Sequence, residues 1–536
     1  MFACALDYYR ARCVRECPPH SISQPHRGRW NPSVRTASLM KPVRSRQRRR
    51  GVDLAAGLLT LAIATTAYAQ VTLKQISSDP FIVGPGQHAT QVEPHVLASG
   101  STIVAAFQTG RIAPGGSTDI GWATSTDGGV TWTHGFLPGA TKGEGTGPYD
   151  AASDPAVAFD AAHNVWMIAS LPISNTKQTP AVIVSRSIDG GLTWQNPVSV
   201  DLSAPSSDKN WIVCDNWPSS PFFGNCYVEW DDPSSFDIIQ MSTSSNGGVT
   251  WGPAKTTANR AFGIGGQPLV QPNGTVVVPI ETNGISSFVS TDGGASWSRP
   301  VAVASIQAHI DAGGIRSGPL PSAALDGAGN VYVVWEDCRF RPGCSTNDLV
   351  LSRSRDGVRW TTVSRIPIDP VSSTVDHFIP GIGIDPATSG SHAHIAIHYY
   401  YYSNSSCNQS SCRLFVGYIS SHNGGSTWNG ARTLAGPMQL SWLPSSQNGL
   451  MVADYIATAF SNGVPYGVFA VAGAKVGTQF NESMYTAQGL KVAEVGPQVS
   501  SVSDRPLHNL SDPIEHERPE KGVHPPKKAR LKSARK

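Results

Sequence analysis

Seven short segments of this 536-residue chain open on a polar or proline-containing step and then turn apolar. They are Glu93-Pro94-His95-Val96, Asp154-Pro155-Ala156-Val157, Lys209-Asn210-Trp211-Ile212, Gln267-Pro268-Leu269-Val270, Pro319-Leu320-Pro321-Ser322, Phe378-Ile379-Pro380-Gly381 and Asp454-Tyr455-Ile456-Ala457. At or beside these starts stand Glu93, His95, Asp154, Asp208, Lys209, Gln267, Arg316, His377, Asp454 and Tyr455. Such residues can do proton chemistry: carboxyl groups and histidine act as general acids and bases, and lysine and arginine neutralise anions. A tyrosine, titrating near 10, needs a neighbouring carboxylate or cation before it can attack or transfer a proton. Taken singly, each is an ordinary loop residue. Together they require a scaffold that repeats, so that equivalent positions converge.

The repeat is visible around aspartate, glycine and tryptophan. Ser125-Thr126-Asp127-Gly128-Gly129-Val130-Thr131-Trp132 returns as Ser187-Ile188-Asp189-Gly190-Gly191-Leu192-Thr193-Trp194 and as Ser245-Asn246-Gly247-Gly248-Val249-Thr250-Trp251. It returns again from Ser290 to Trp297, one residue shorter from Ser354 to Trp360, and from Ser421 to Trp428 with Asn423. An Asp or Asn side chain accepts backbone amides within its own turn, and the glycines admit positive φ. Alternating apolar residues flank the turns, as in Ala181-Val182-Ile183-Val184. Each copy therefore predicts a hairpin turn with a scaffold role, and none of its aspartates is expected to be catalytic.

The repeat resembles the Asp-box, or BNR repeat, of the sialidase superfamily, over roughly residues 90–470. The resemblance implies an all-β fold, a β-propeller with the box between the outer two strands of each blade. Seven strand starts imply seven blades, with Val71 to Ile76 supplying the last outer strand; the family's usual six-bladed propeller is the alternative. Propeller ligands meet the mouth where inner strands begin, which makes the polar starts the candidate site. The family's chemistry uses three arginines on a substrate carboxylate, a tyrosine nucleophile activated by glutamate, and an aspartate acid/base. Val92 stands where the first arginine would be. Arg111 resembles the second-strand arginine, Asp119 the acid/base, Arg339 in Trp335-Glu336-Asp337-Cys338-Arg339 a clamp arginine, and Asp454-Tyr455 the segment with the nucleophile.

The residues implied are thus Tyr455, Asp119 and Glu93 for catalysis, and Arg111, Arg339, Arg316, Asp154, Lys209, His377 and Asp454 for substrate binding. With the arginine triad incomplete, exo-sialidase activity is not predicted. The implied function is a secreted, sialidase-like, glycan-active protein, a glycoside hydrolase acting at the propeller mouth through a carboxyl pair. The alternatives are a polysaccharide lyase using Tyr455 with His377, and a propeller that binds glycan or protein without turnover.

Composition agrees with one large β domain: 53 glycines, 40 prolines and a 15% charged fraction describe many short strands and turns. Residues 1–69 read as an N-terminal extension and signal peptide, with basic residues, an apolar stretch from Leu54 to Ala67 and an Ala67-Tyr68-Ala69 cleavage site. Arg48-Arg49-Arg50 is a weak twin-arginine match, and Met40 offers a second start. Residues 70–513 are assigned to the propeller and 514–536 to a basic disordered tail. Setting aside the twelve basic residues of 1–50 and the eight of 515–536 leaves 21 of 41, against 32 of 38 acidic ones once Asp7, Glu16, Asp53, Glu515, Glu517 and Glu520 are excluded. The acidic balance argues against a nucleic-acid groove. Cys214 with Cys226, Cys338 with Cys344 and Cys407 with Cys412 predict three local disulfides in a secreted or periplasmic protein. No pair has zinc-site spacing, no cofactor is called for beyond the open case of a structural calcium ion, and the chain is read as a monomer without a membrane span.

Overall fold

The computed structural model describes residues 71–500 apart from 144, 177, 203–206 and 493–497. The expected leader and basic tail lie outside the described residues.

The described residues are all-β: seven groups of four antiparallel strands, with two further two-stranded pairs, Thr427–Asn429 with Gln498–Ser500 and Ser445–Ser446 with Gly449–Leu450. The first is Gln87–Ser99, Thr102–Arg111, Ser117–Ser125 and Thr133–Phe136, and the second Ala151–Asp160, Val165–Ile173, Ile183–Ser187 and Val198–Ser199. A single pair, Ser117 with Ala152, joins these two into one sheet. The third runs Asp208–Cys214, Cys226–Asp232, Ile238–Ser244 and Lys255–Thr256, and the fourth Leu269–Val270, Val276–Glu281, Ile285–Ser290 and Val301–Ala304. The fifth is Ser322–Leu325, Val331–Asp337, Asp348–Ser354 and Ser364–Arg365, and the sixth Asp376–Ile384, Ile395–Tyr402, Arg413–Ser421 and Arg432–Gln439. The seventh takes three strands from the C-terminal region, Ala457–Ser461, Val464–Ala472 and Glu482–Gln488. Its fourth comes from the other end of the chain, Thr72–Gln75, with Thr72 opposite Gln488.

Second strands such as Cys226–Asp232 and Val331–Asp337 are buried at every position, because both faces are covered by neighbouring groups. The apolar contacts pass from each group to the next. One cluster joins Val104, Ile120 and Trp122 to Ile168 and Trp194, the next Met167 and Val184 to Val228 and Trp230, the next Tyr227 and Met241 to Val278 and Trp297. Val277 and Ile285 then meet Val333 and Trp335, and Tyr332 and Leu351 meet Ile397 and Tyr399. The last cluster links Tyr400 and Leu414 to Val468 and Phe469, and these back to Ile103 and Phe107 of the first group.

The six repeated turns connect third to fourth strands, and all use one hydrogen-bond scheme. Ser125 Oγ donates to Asp127 Oδ1 at 2.8 Å and accepts the Gly129 amide at 2.8 Å, while Asp127 Oδ1 also accepts the Thr131 amide at 2.8 Å. The third copy begins at Ser244, one residue earlier than its sequence alignment, because Ser244 Oγ caps the Gly248 amide. The second glycine of each pair is pressed against the preceding group: a Cβ on Gly191 would lie 2.8 Å from Val104, and one on Gly248 2.5 Å from Met167. Gly129 abuts Tyr466 of the seventh group, whose hydroxyl donates to the Gly128 carbonyl at 2.5 Å.

Cys214–Cys226, Cys338–Cys344 and Cys407–Cys412 are disulfide-bonded, the local pairing expected from their spacing. Among the described residues no helix is long and apolar enough to cross a membrane.

Candidate functional site

Four of the seven first strands share one irregularity. Their register with the second strand shifts between Val92 and His95, Ser153 and Ala156, Asp208 and Trp211, and Phe378 and Gly381. Within these bulges Glu93, Asp154, Lys209 and Ile379 hold φ of 52°, 49°, 47° and 49°. A left-handed backbone costs a non-glycine residue about 1–2 kcal/mol, and a bulge re-aims the side chain it carries. Three of the four re-aimed side chains are charged, and they meet.

Lys209 Nζ lies 3.3 Å from Glu93 Oε1, 3.9 Å from Asp154 Oδ2 and in direct contact with Asp454 Oδ2. Arg316 reaches the same aspartate from the loop before the fifth group, Nε donating to Asp454 Oδ1 at 2.6 Å and Nη2 to the second oxygen. Gln108 Nε2 donates to Glu93 and to Ser153 Oγ at 3.1 Å. The Lys209 amide donates to both Asp154 Oδ2, at 3.1 Å, and Asp208 Oδ1, at 2.9 Å, so two carboxyl groups share one donor.

The five ion-paired side chains are at most 12% exposed, so their charges must balance among themselves. Burial alone would raise Asp454, but Arg316 and Lys209 hold it well below the usual carboxylate range. Burial also opposes ionisation of Asp154, and the Lys209 charge with a hydrogen bond from Glu93 outweighs it. For Glu93 burial wins and its pKa lies well above the ordinary value. Burial and then the Asp154 charge push Asp208 up to about 7. Lys209 and Arg316 thus favour the ionised forms of Asp154 and Asp454, while burial disfavours the ionised forms of Glu93 and Asp208.

Tyr455 packs its ring edge-on to Trp211, with centroids 5.2 Å apart, under the Lys209 ammonium 5.6 Å away. Its hydroxyl donates to the Pro155 carbonyl at 3.4 Å, and burial raises its pKa well above 10. Arg111 is buried beside the cluster with Nε on Met451 Sδ at 3.0 Å and Nη1 on the Gly116 carbonyl.

Arg339, Asp119 and His377 lie apart from this group's contacts. Arg339 forks onto Asp337, at 2.9 and 2.8 Å, and onto the Ser305 carbonyl. Asp119 is fully buried in the third strand of the first group and accepts the Ile120 amide at 2.7 Å. His377 stands 4.0 Å from Asp369 in a second polar group with Arg341, Arg365 and Asp348. His95 and Gln267 act as pins between groups, accepting the amides of Val157 at 2.8 Å and Ala323 at 2.9 Å.

Sequence reasoning did not assign functions to Gln108 or Trp211. Trp211 is half-buried and, with Tyr455, Gln267 and Leu320, lines a small pocket over Lys209. A larger cavity of about 720 Å³ opens at the opposite ends of the first strands between Leu97, Phe159, Asn216 and Phe460; its one charged lining residue is Asp385. The arrangement at the starts can therefore exchange a proton and present an aromatic face.

No family model matches the chain, and no curated protein matches it. Among the solved structures similar to it is a polysaccharide lyase, the PL25 ulvan lyase, at 12% identity, covering 77% of this chain and 95% of that one with a TM-score of 0.44. A Hadza microbial sialidase, Hz136, is 14% identical over 75% of this chain, with a TM-score of 0.38, and this chain spans only 66% of its length. The NanB sialidase from Streptococcus pneumoniae is 13% identical, with 78% of this chain and 70% of that one covered and a TM-score of 0.36.

Proposed function

We propose that the seven strand groups are the blades of a closed, sialidase-like β-propeller with Asp-box turns, exported from the cell, and that its function is to cleave a glycan at the end where the first strands begin. The observation that carries this reading is the carboxyl pair on the Lys209 amide: half-buried Asp208, with a pKa of about 7, beside ionised Asp154. Two carboxyl groups whose surroundings separate their protonation states are what glycoside hydrolysis requires. Asp208 is assigned as proton donor to the leaving oxygen and Asp154 as the carboxylate that works directly on the anomeric carbon, because oxygens sharing one amide are too close together for the intervening water of an inverting hydrolase. Trp211 supplies a ring on which a sugar face can stack. Arg316 and Lys209 hold Asp154 and Asp454 ionised and in place.

A second reading, glycan binding without turnover, is favoured by one contact: the Tyr455 hydroxyl is bonded to a backbone carbonyl rather than to a carboxylate. A panel of fluorogenic glycosides and uronate-containing polysaccharides, assayed with the wild type and Asp208→Asn, separates the two. Turnover that Asp208→Asn abolishes supports the carboxyl pair. Binding of a panel member by both proteins, with no product from either, supports the binding module.

A further inference from the structure

We propose that His309, Asp311 and Asp376 form a binding site for a divalent cation of the zinc type, separate from the Lys209 cluster. His309 and Asp311 come from the loop before the fifth group, the same loop that delivers Arg316, and Asp376 opens the first strand of the sixth. One nitrogen or oxygen atom from each of the three lies within 4.8 Å of those of the other two. His309 Nδ1 and Asp376 Oδ2 are paired at 3.0 Å, and neither atom has a further hydrogen-bond partner among the described residues. Two ligand atoms that face each other at about this distance, with a third close by, also have the spacing of neighbouring ligands on one ion, each about 2.0–2.2 Å from it. Asp376 is fully buried, so this oxygen has no recourse to water and only the His309 ring beside it.

The surrounding residues hold the ligands as supporting groups do around metals. Asn347 donates its amide to Asp376 Oδ1 at 2.6 Å and its side-chain nitrogen to Asp311 Oδ1 at 3.2 Å, fixing both carboxyl groups. Ser317 Oγ donates to Asp311 Oδ2 at 2.6 Å.

Two other clusters of metal-ligating residues lack this character. Around His377 the carboxylates of Asp348 and Asp369 are already paired with Arg341 and Arg365. Beside Asp160 the two cysteines are joined in a disulfide. One imidazole with two carboxylates suits zinc or manganese better than calcium, which takes six to eight oxygens. A quarter of the His309 side chain is exposed, which leaves a coordination position open to solvent or to an anionic ligand.

The test is isothermal titration of the chelator-stripped protein with Zn2+ and, separately, Ca2+, alongside thermal melts with each ion. One equivalent of Zn2+ should bind and raise the melting temperature, and Ca2+ should do neither. His309→Ala should weaken Zn2+ binding more than about 100-fold, beyond the loss expected for a merely supporting residue, without changing the melt of the stripped protein. Asp376→Asn should do the same; if it fails to fold, His309→Ala, at the accessible side of the site, carries the test. No Zn2+ binding by the wild type, or Zn2+ affinity unchanged in His309→Ala, would overturn the assignment and leave a plain His309–Asp376 ion pair. Ca2+ binding that survives His309→Ala would overturn it equally.

Discussion

Replacing Lys209 by methionine keeps most of the side chain's length and removes the ammonium from among Glu93, Asp154 and Asp454. Asp454 retains its fork to Arg316, so the group left without a cation is Asp154. Breaking a buried pair by removing one partner costs about 3–5 kcal/mol. The described body of about 430 residues unfolds with roughly 0.9 kcal/mol per kelvin of entropy at about 2.1 cal/mol/K per residue, so the melting midpoint should fall by only about 3–6 °C. Chemical denaturation shows the loss better, and its pH dependence is the decisive part. In the wild type the folded pKa of Asp154 is lowered, so this group contributes stability above the unfolded value near 3.8 and loses it as pH falls through the folded one. Without Lys209 its folded pKa lies above the unfolded value, and the folded protein then loses stability as pH rises between the two. The deficit of Lys209→Met relative to wild type should therefore be small at pH 4.5 and full at pH 8, measured by urea unfolding followed by tryptophan fluorescence. Adding Asp154→Asn should recover most of it. An equal deficit at both pH values, or none, would refute the charge balance assigned to the cluster.

On a glycan that the protein turns over, Asp208→Asn should lower kcat by roughly 10²–10⁴-fold, and the wild-type profile of kcat/KM should fall above about pH 7 as Asp208 loses its proton; a profile still flat at pH 9 counts against the assignment. Gly190→Ala and Gly248→Ala both place a side chain at positive φ, but Gly190 faces open space and Gly248 faces Met167 at 2.5 Å. The first should cost about 1–2 kcal/mol and the second about 1–3 kcal/mol more, and equal costs in urea unfolding would mean the turn does not lock onto its neighbour. Deleting residues 71–77 should uncover the edge of Glu482–Gln488 and cause concentration-dependent association visible in light scattering; a deletion variant that stays monomeric with an unchanged melt would contradict this role. Non-reducing peptide maps should return only the three local disulfides, and a free thiol among these six cysteines would contradict the pairing.

What could be read from the sequence was what local chemistry determines. The Ser-x-Asp-Gly-Gly pattern contains its own hydrogen-bond partners, and the apolar alternation on either side identifies the strands, so the six turns and most strand starts were legible. Convergence at the strand starts was legible only in outline. A following proline marks Glu93, Asp154 and Ile379, but Lys209, followed by Asn210, has the same left-handed backbone without one, and Gln267-Pro268 has the proline without positive φ. The bulge is set by pairing with the second strand, which no single segment encodes. Arg339 shows a different limit: its place in the strand could be read, but whether Asp337, two residues earlier, would occupy its guanidinium could not. The partner of the Tyr455 hydroxyl is 300 residues away, and the three residues around the 3.0 Å His309–Asp376 contact come from one loop and one distant strand with no motif between them.

The strand Thr72–Gln75, paired with Glu482–Gln488, gives the molecule a clasp whose two halves are made at opposite ends of synthesis. Joining ends about 410 residues apart in a free coil would cost on the order of 5 kcal/mol in loop entropy, more than four residues of strand pairing can offset. The cost is small once the six intervening groups have stacked, because their mutual packing already carries the last group back to the first. The expected order of assembly follows: the repeating body forms from neighbour contacts of low contact order, and the clasp sets last. Until it does, the Glu482–Gln488 edge is open, so the interval between release of the C-terminal strands and docking of Thr72–Gln75 is when a nascent chain is most able to pair with another copy of itself.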